Sequence, residues 1–216
     1  MSSNRIEEIH RRLIDAYGEQ RLRSRKPPLD ELIFTVLSQN TSDVNRDRAW
    51  DRLREGNPSW EEVSSLPVRR LERRIRVGGL ARQKSKRIHS ILQAIKRERG
   101  TLDLEFLREM SDEEIRRYLL AFPGVGPKTV ACLLLFSLGR PAFPVDTHIH
   151  RLSARLGLIP RETSAAAAHD ILRKQVPEKM DLTLHLNLIA HGRTVCRARK
   201  PLCDRCVLND LCPKLI

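Results

Sequence analysis

Apolar side chains recur along this chain at the spacing of an α-helix. One face of a long basic segment is marked by Ile88, Ile91, Leu92 and Ile95. Similar periods predict further helices at about 129–138, 146–156, 163–174 and 182–190. No run alternates between apolar and polar residues as a half-buried strand does. The pattern therefore predicts an all-α fold.

Polar residues mark the starts of several predicted helices. Ser111 and Glu114 have the S-x-x-E spacing of a capping box and precede an apolar run that begins at Ile115. Asp30 stands before a second apolar run, Leu32–Leu37. These signals predict helices joined by turns rather than by long structureless linkers.

The balance of charged residues indicates a polyanionic partner. The 216 residues include 40 Lys and Arg against 27 Asp and Glu, a formal net charge of +13. Between Arg69 and Arg99, twelve basic side chains are accompanied by Glu72 and Glu98 as the acidic residues. A field of this sign attracts phosphate backbones or anionic membranes. Aromatic residues make up 4% of the chain, which disfavours stacking of single-stranded bases, so duplex DNA is the predicted partner.

A length of 216 residues allows one large domain or two small ones, either with an adequate core.

The hydropathy of the chain bears on its location in the cell. No apolar run approaches the ~20 residues of a membrane span. Residues 1–17 are charged, which is unlike a signal peptide or membrane anchor. We therefore expect a cytoplasmic, nucleoid-associated protein without a membrane partner.

Four cysteines near the end of the chain form the pattern Cys196-x6-Cys203-x2-Cys206-x5-Cys212. Thiolates this close together, in a chain without a secretory signal, are typical of a metal or cluster site. Zinc sites usually contain two close pairs of ligands, and this sequence has one, which favours an iron–sulfur cluster and leaves zinc as the alternative. The loop after the first cysteine contains basic residues suited to a polyanion: Arg197, Arg199 and Lys200.

A glycine-rich segment lies between two predicted helices and reads F-P-G-V-G-P-K-T over Phe122–Thr129. Pro123 is expected to end the first helix, and Pro127 suits the first turn of the second. The glycines between them permit a tight turn. Such a hairpin presents backbone N–H groups beside a helix N-terminus, which suits a phosphate. An ordinary glycine-rich turn is the alternative interpretation.

Two charged residues near this hairpin are candidates for chemistry. Lys128 lies in the first turn of a helix, where the dipole disfavours a cation and so favours the neutral amine that a nucleophile requires. A lysine that contacts phosphate would fit the same position. Asp146 precedes an apolar-periodic run and suits an N-cap. Near an amine nucleophile, its carboxylate would also suit stabilisation of a cationic sugar and transfer of a proton.

Three segments together resemble endonuclease III, a family of the helix-hairpin-helix DNA glycosylase superfamily. They are F-P-G-V-G-P-K-T, V-D-T-H-I-H-R and H-G-R-T-V-C-R-A-R-K-P-L-C-D-R-C-V-L-N-D-L-C-P. The segments L-S-Q-N-T-S-D-V, over Leu37–Val44, and G-L-A-R-Q-K-S-K, over Gly79–Lys86, also occur at family-like positions. The resemblance therefore covers nearly the whole chain.

The resemblance implies two helical lobes that flank a DNA-binding cleft. A six-helix lobe with the hairpin would span 29–140, and a cluster lobe would join 1–28 to 141–216. Lys128 would be the Schiff-base lysine, Asp146 the catalytic aspartate, and the four C-terminal cysteines the ligands of a [4Fe–4S] cluster. The implied protein is a monomer that binds double-stranded DNA containing damaged bases or abasic sites. It would excise oxidised pyrimidines and then act as an AP lyase, cutting the strand by β-elimination.

Several residues are expected to contact this DNA. Asn40 falls where the family commonly has a glutamine that fills the gap left by a flipped nucleotide, and Leu80 where it wedges an apolar side chain beside the estranged base. A polar helix end and a core leucine are the alternative interpretations of these two positions. The complete set is Gln39, Asn40, Leu80, Gly124, Val125, Gly126, Thr129, His148, Arg199 and Lys200.

Two other functions compete with this prediction. One is a mismatch glycosylase that removes thymine or adenine, but monofunctional members of that kind lack a lysine at the position of Lys128. The other is a non-catalytic DNA-binding protein with a structural cluster or zinc. Such a protein would need the hairpin, the basic face and the cysteines, but not Lys128 together with Asp146.

Overall fold

The computed structural model describes residues 2–56 and 58–214. Residues 1, 57, 215 and 216, which include both ends of the predicted cluster lobe, lie outside the described residues. Within the described ranges all regular secondary structure is helical, which confirms the predicted all-α class. The α-helices are α1 (Ser2–Tyr17), α2 (Pro28–Ser38), α3 (Asp43–Arg54), α4 (Trp60–Ser65), α5 (Val68–Arg74), α6 (Ala81–Arg99), α7 (Asp112–Leu120), α8 (Pro127–Cys132), α9 (Thr147–Arg155), α10 (Ala165–Gln175) and α11 (Asp181–Thr194).

Shorter helical segments complete the secondary structure of the described residues. Single 3₁₀ turns occur at Arg76–Gly78, Glu105–Glu109, Glu178–Met180 and Cys203–Arg205. Helix α8 continues directly into a π-helix, Leu133–Leu138. No helix in this part of the chain combines the length and the apolar composition that crossing a bilayer requires.

Capping pairs explain where two of the helices begin. At α7, the Glu114 N–H donates to the Ser111 hydroxyl (3.3 Å) and the Ser111 N–H donates to the Glu114 carboxylate (2.8 Å). This confirms the predicted capping box. Ser59 and Glu62 form the same reciprocal pair at α4. The sequence pattern did not predict α4, because six residues are too few to show a helical period.

The chain forms two compact units. We call Arg25–Leu138 the hairpin unit, and Met1–Ser24 together with Gly139–Ile216 the cluster unit. The hairpin unit begins a few residues before the predicted lobe, because the segment ahead of α2 is bonded to the π-helix. Arg25 Nη1 donates to the Leu135 carbonyl (2.6 Å), and the Ser137 hydroxyl donates to the Lys26 carbonyl (2.7 Å).

Each unit has its own apolar core. In the hairpin unit, the predicted apolar face of α6 is fully buried: Ile88, Ile91, Leu92 and Ile95 are each 0% exposed. In the cluster unit, a core built from α1, α9, α10 and α11 includes Ile6, Ile9, Leu13, Ile149, Leu172 and Leu188. Burial of each such side chain stabilises the fold by about 1.5–3 kcal/mol. Three of the four C-terminal cysteines pack against the cluster-unit core: Cys196, Cys206 and Cys212.

Candidate functional site

The hairpin joins α7 to α8 through a tight turn. The Val125 N–H donates to the Phe122 carbonyl (3.2 Å), and both side chains are buried. Gly124 has a φ of +76°, which glycine adopts without strain. Gly126 is the N-cap of α8 and has extended backbone, with φ −119°. The turn therefore depends on Gly124 and not, as the sequence indicated, on both glycines.

Lys128 is the second residue of α8 and is half-buried. Pro127 precedes it at the first helical position, where the missing N–H of proline costs no helical hydrogen bond. The N–H groups of the first turn have no acceptor within a helix, and this end of the dipole is positive. Thr129 is buried, as Val125 is, so contact with DNA at these two positions would involve the backbone.

Two residues predicted to contact DNA have left-handed backbone conformations. Asn40, after the end of α2, has φ +50° and is exposed. Leu80, just before α6, has φ +48° and ψ +32°. This conformation strains a leucine by about 1–2 kcal/mol and persists where the surroundings impose it. Leu80 is 51% exposed, so it is not the core leucine of the alternative interpretation.

Lys84 is bonded to the backbone shortly before each of these two residues and is 1% exposed. Its ammonium group donates to the carbonyls of Leu37 (2.7 Å) and Gly78 (2.8 Å). Burial lowers the pKa of Lys84 to about 8. Lys84 was not predictable from the sequence, because nothing in the basic segment distinguishes it from the exposed cations beside it.

Gln39 and Arg87 connect α6 to the hairpin. Arg87 Nη1 donates to Gln39 Oε1 (2.8 Å), and Gln39 Nε2 donates to the Gly124 carbonyl (3.0 Å). The structure therefore brings together two residues predicted to contact DNA, Gln39 and Gly124, through the side-chain amide of the former. Arg87 was not predictable as such a contact, because other residues of the same segment are also basic.

Asp146 is the N-cap of α9 in the cluster unit. Its Oδ1 accepts a hydrogen bond from the Ile149 N–H (2.8 Å), so the predicted capping role is confirmed. The residue remains half-exposed. Within the same helix, His148 Nδ1 accepts a hydrogen bond from Arg151 Nη2 (3.2 Å). Contact between His148 and DNA stays a prediction.

Two arginines of α9 hold the loop that carries the first cysteine. Arg151 Nη2 donates to the Cys196 carbonyl (2.9 Å). Arg155 Nη1 donates to the Arg197 carbonyl (2.7 Å) and lies 3.3 Å from the Cys196 sulfur. Helix α9 is therefore capped by Asp146 at its start and is bonded to the cysteine loop through Arg151 and Arg155.

The four C-terminal thiols line one cavity, and all four are partly exposed. In the described part of the chain, no three His, Cys, Asp or Glu side chains converge as the ligands of a single metal ion would. The donor set fits an iron–sulfur cluster, for which four thiolates are the usual ligands. N–H donors lie 3.3 Å from two of the sulfurs, Arg155 near Cys196 and His191 near Cys206. Such donors offset thiolate charge.

His191 contacts the thiols from inside the cluster unit and is 1% exposed. Its Nε2 lies 3.3 Å from the Cys206 sulfur, and its Nδ1 lies 2.9 Å from the Tyr17 hydroxyl. Burial lowers the pKa of His191 to about 4, so the ring is neutral at neutral pH. A neutral ring has one N–H, and a thiolate can only accept. With a ligated Cys206, the hydrogen therefore lies on Nε2, and Tyr17 donates to Nδ1.

The remaining predicted DNA contacts, Arg199 and Lys200, are exposed in the loop between the first two cysteines. This loop is closed at its base by the Leu202 N–H, which donates to the Val195 carbonyl (3.0 Å). Lys200 has φ +52°, a conformation that the closed loop imposes on a residue with a side chain. Contact of both residues with DNA stays a prediction.

Comparison with known proteins confirms the predicted resemblance. The model of the HhH-GPD superfamily of base excision DNA repair proteins matches residues 33–178. The iron–sulfur binding domain of endonuclease III matches residues 196–212, the segment that contains all four thiols.

Individual relatives agree with the family match. The chain is 38% identical to a putative DNA glycosylase of Arabidopsis thaliana over 86% of its own length, and it spans 61% of that relative. It is 33% identical to endonuclease III of Thermotoga maritima over 96% of this chain and 92% of that one. A solved structure of a trapped endonuclease III–DNA covalent intermediate, an estranged-adenine complex, matches with a TM-score of 0.84 and 28% identity, covering 99% of this chain and 97% of the other. The chain therefore belongs to the HhH-GPD superfamily, as a base excision repair DNA glycosylase that carries the iron–sulfur domain of endonuclease III with its [4Fe–4S] cluster.

Proposed function

We propose that this glycosylase is bifunctional, removing oxidised pyrimidines from duplex DNA and then cutting the abasic site as an AP lyase. The observation that carries the proposal is the amine of Lys128, half-buried in the first turn of α8 beside the glycine hairpin. The similarity to a trapped covalent intermediate of endonuclease III with DNA supports it, because a covalent adduct requires a nucleophile on the enzyme.

The first step is extrusion of the damaged nucleotide, which a base inside the stack requires before it can be attacked. The backbone N–H groups at the start of α8 would hold a phosphate beside the lesion. Leu80, exposed and fixed in a left-handed conformation, would enter the base stack. Asn40 would occupy the gap that the nucleotide leaves.

The second step is covalent chemistry at the sugar. The neutral Lys128 amine attacks C1′, and the base departs with the electrons of the glycosidic bond and takes up a proton. The C1′–O4′ bond then breaks, O4′ takes up a proton and the opened sugar carries an imine at C1′. The imine acidifies the C2′ proton, whose removal expels the 3′ phosphate, and water then releases the lysine. The Asp146 carboxylate would stabilise the cationic sugar and take part in the proton transfers.

The cluster and the basic surface would serve binding. When bound, the cluster cross-links the loop that carries Arg199 and Lys200, which supports a fixed contact with the phosphate backbone. We propose that the protein acts as a monomer on nucleoid DNA in the cytoplasm. Its net charge of +13 favours the association with nucleic acid.

Borohydride trapping tests the lysine directly. Wild type should form a covalent adduct with abasic-site duplex and nick it, whereas Lys128→Gln should do neither while still binding the duplex. Lys174→Gln, which removes an exposed lysine of α10, is the matched control and should keep both products. An undiminished nick from Lys128→Gln would refute the lyase mechanism. A panel of duplexes, each with one lesion, would then separate oxidised-pyrimidine excision from mismatch repair.

A further inference from the structure

The Arg87 side chain lies directly against the hairpin. A Cβ built on Gly124 would be 2.5 Å from Arg87 Nε and 2.6 Å from Arg87 Cδ, well inside contact distance. Glycine at this position therefore has two functions. It accepts the φ of +76° that the turn requires, and it leaves room for an arginine that any larger residue would displace.

The same guanidinium group also binds the loop after α2. Its Nη1 donates to the amide oxygen of Gln39, whose amide nitrogen donates to the Gly124 carbonyl. The Gln39 amide therefore accepts from Arg87 through its oxygen and donates to Gly124 through its nitrogen, so the two hydrogen bonds form one chain. Loss of either Arg87 or Gln39 would break this chain between α6 and the hairpin.

Lys84 extends these connections to the turn before α6. It lies one turn earlier than Arg87 on the same face of the helix. Its two carbonyl acceptors, Leu37 and Gly78, stand shortly before the left-handed residues Asn40 and Leu80. Helix α6 therefore joins three segments that are distant in sequence: the loop after α2, the turn at Leu80 and the hairpin.

We propose that Arg87 and Gln39 are positioning residues that fix the hairpin and the loop after α2 in one arrangement before DNA binds. The proposal rests on the proposed function for the roles of Asn40 and Lys128 at the lesion. Preorganisation matters there because a misplacement of about 1 Å in a reacting group can cost about 100-fold in rate. Exposed arginines of the basic segment would serve the sequence-independent attraction of phosphate, whereas the Arg87 guanidinium donates to Gln39 and lies against the hairpin.

Hydrogen exchange in the free protein tests the network without any substrate. Arg87→Met keeps the aliphatic stem and removes the donor, and Gln39→Ala removes the bridging amide. Both variants should exchange amide protons of the hairpin, residues 122–126, several-fold faster than wild type. Arg97→Met, which removes an exposed cation of the same helix, should leave hairpin exchange unchanged. Wild-type exchange in both network variants would overturn the proposal.

Salt-dependent binding and single-turnover kinetics separate positioning from phosphate contact. A positioning role predicts that both variants lower the single-turnover excision rate about 10- to 100-fold. The slope of log affinity against log salt should stay that of wild type. The double variant should be no slower than the slower single variant. If Arg87 instead binds a phosphate in the complex, Arg87→Met should reduce that slope by about 0.9 and Gln39→Ala should not, which would contradict the proposal.

Two further measurements keep the result interpretable. Gln39→Glu retains an acceptor for Arg87 but loses the donor to Gly124, so its hairpin exchange should lie between those of wild type and Gln39→Ala. Gln39→Glu also provides a test of the network if Arg87→Met fails to fold. Borohydride trapping by wild type reports the proposed function separately. If wild type is not trapped but hairpin exchange is faster in the variants, the lyase is rejected and the network is kept. If wild type is trapped but hairpin exchange in the variants equals that of wild type, the lyase is kept and the network is rejected.

Discussion

The hairpin unit and the cluster unit each contain a helix that follows a residue with a predicted role in the reaction on DNA and that is anchored further along by cations. Helix α6 follows Leu80 and is held by Lys84. Helix α9 follows Asp146 and is held by Arg151 and Arg155. In both helices a buried or half-buried cation donates to backbone carbonyls of another segment. These hydrogen bonds fix the helix relative to that segment.

The two helices differ in what the cations hold. Lys84 binds carbonyls at the end of α2 and in a 3₁₀ turn, both of which are formed by the protein's own hydrogen bonds. Arg151 donates to the Gly192 carbonyl within α11 (2.8 Å) as well as to the Cys196 carbonyl, whereas Arg155, the last residue of α9, binds the loop after Cys196, which has little regular structure and carries cluster ligands. The hairpin unit should therefore be organised by protein alone, whereas the C-terminal end of α9 should depend on the cluster.

Loss of the cluster should have the largest effect and should be confined to one unit. Cys206→Ser removes a ligand, so we expect loss of visible cluster absorbance, rapid amide exchange over residues 196–212 and faster exchange at the end of α9, where Arg155 donates to this loop. Exchange in α6 should remain that of wild type. Cys132→Ala, which changes a buried cysteine of α8, is the control and should keep the cluster. If the 196–212 loop stays protected in Cys206→Ser, the contrast between the units is wrong.

A smaller effect is expected when the anchor of α6 is removed. Lys84→Met leaves two buried carbonyls, Leu37 and Gly78, without their ammonium donor, which should lower the free energy of unfolding by about 2–4 kcal/mol. Cluster absorbance should not change. Lys86→Met alters an exposed neighbour and should change the unfolding free energy by less than about 0.5 kcal/mol. Equal denaturation midpoints for the two variants would show that Lys84 is not an anchor.

The sequence predicted those parts of the fold and site that depend on near neighbours. Helices with a full apolar period were located, and the capping box at Ser111 was identified, because both are local patterns. The N-cap role of Asp146 and the position of Lys128 in a first turn were predictable for the same reason. The cysteine spacing similarly indicated a cluster.

The residues that the sequence did not reveal are those whose role depends on distant partners. Lys84 and Arg87 are two basic residues among many, and only the fold shows that Lys84 is buried and that Gln39 bridges Arg87 to Gly124. His191 likewise requires the fold to bring it to Cys206. Residue type and spacing do not show which polar residue is buried or which partner far along the chain it contacts.

The smallest expected effect compares a buried carboxyl group in each unit. Burial raises the pKa of Glu31 in the hairpin unit to about 7 and that of Asp181 in the cluster unit to about 6. Asp181 accepts a hydrogen bond from Arg173 Nη1 (2.5 Å), whereas Glu31 accepts one from the Thr35 hydroxyl (3.2 Å). A direct cationic partner favours ionisation of Asp181, and aspartate also has the lower ordinary pKa, so Glu31 keeps its proton to a higher pH.

Glu31→Gln should therefore flatten the pH dependence of stability. The folded protein holds a proton on Glu31 up to about pH 7, while the unfolded chain releases it near 4.5, the ordinary pKa. The stability that this group contributes is complete below pH 4.5 and is lost as the pH rises through 7. In the variant, that decline in unfolding free energy should shrink by about 2–3 kcal/mol, measured by denaturation from pH 4 to pH 8. Glu61→Gln, at an exposed position of α4, should leave the profile unchanged, and the same profile for both variants would show that Glu31 is ionised in the fold.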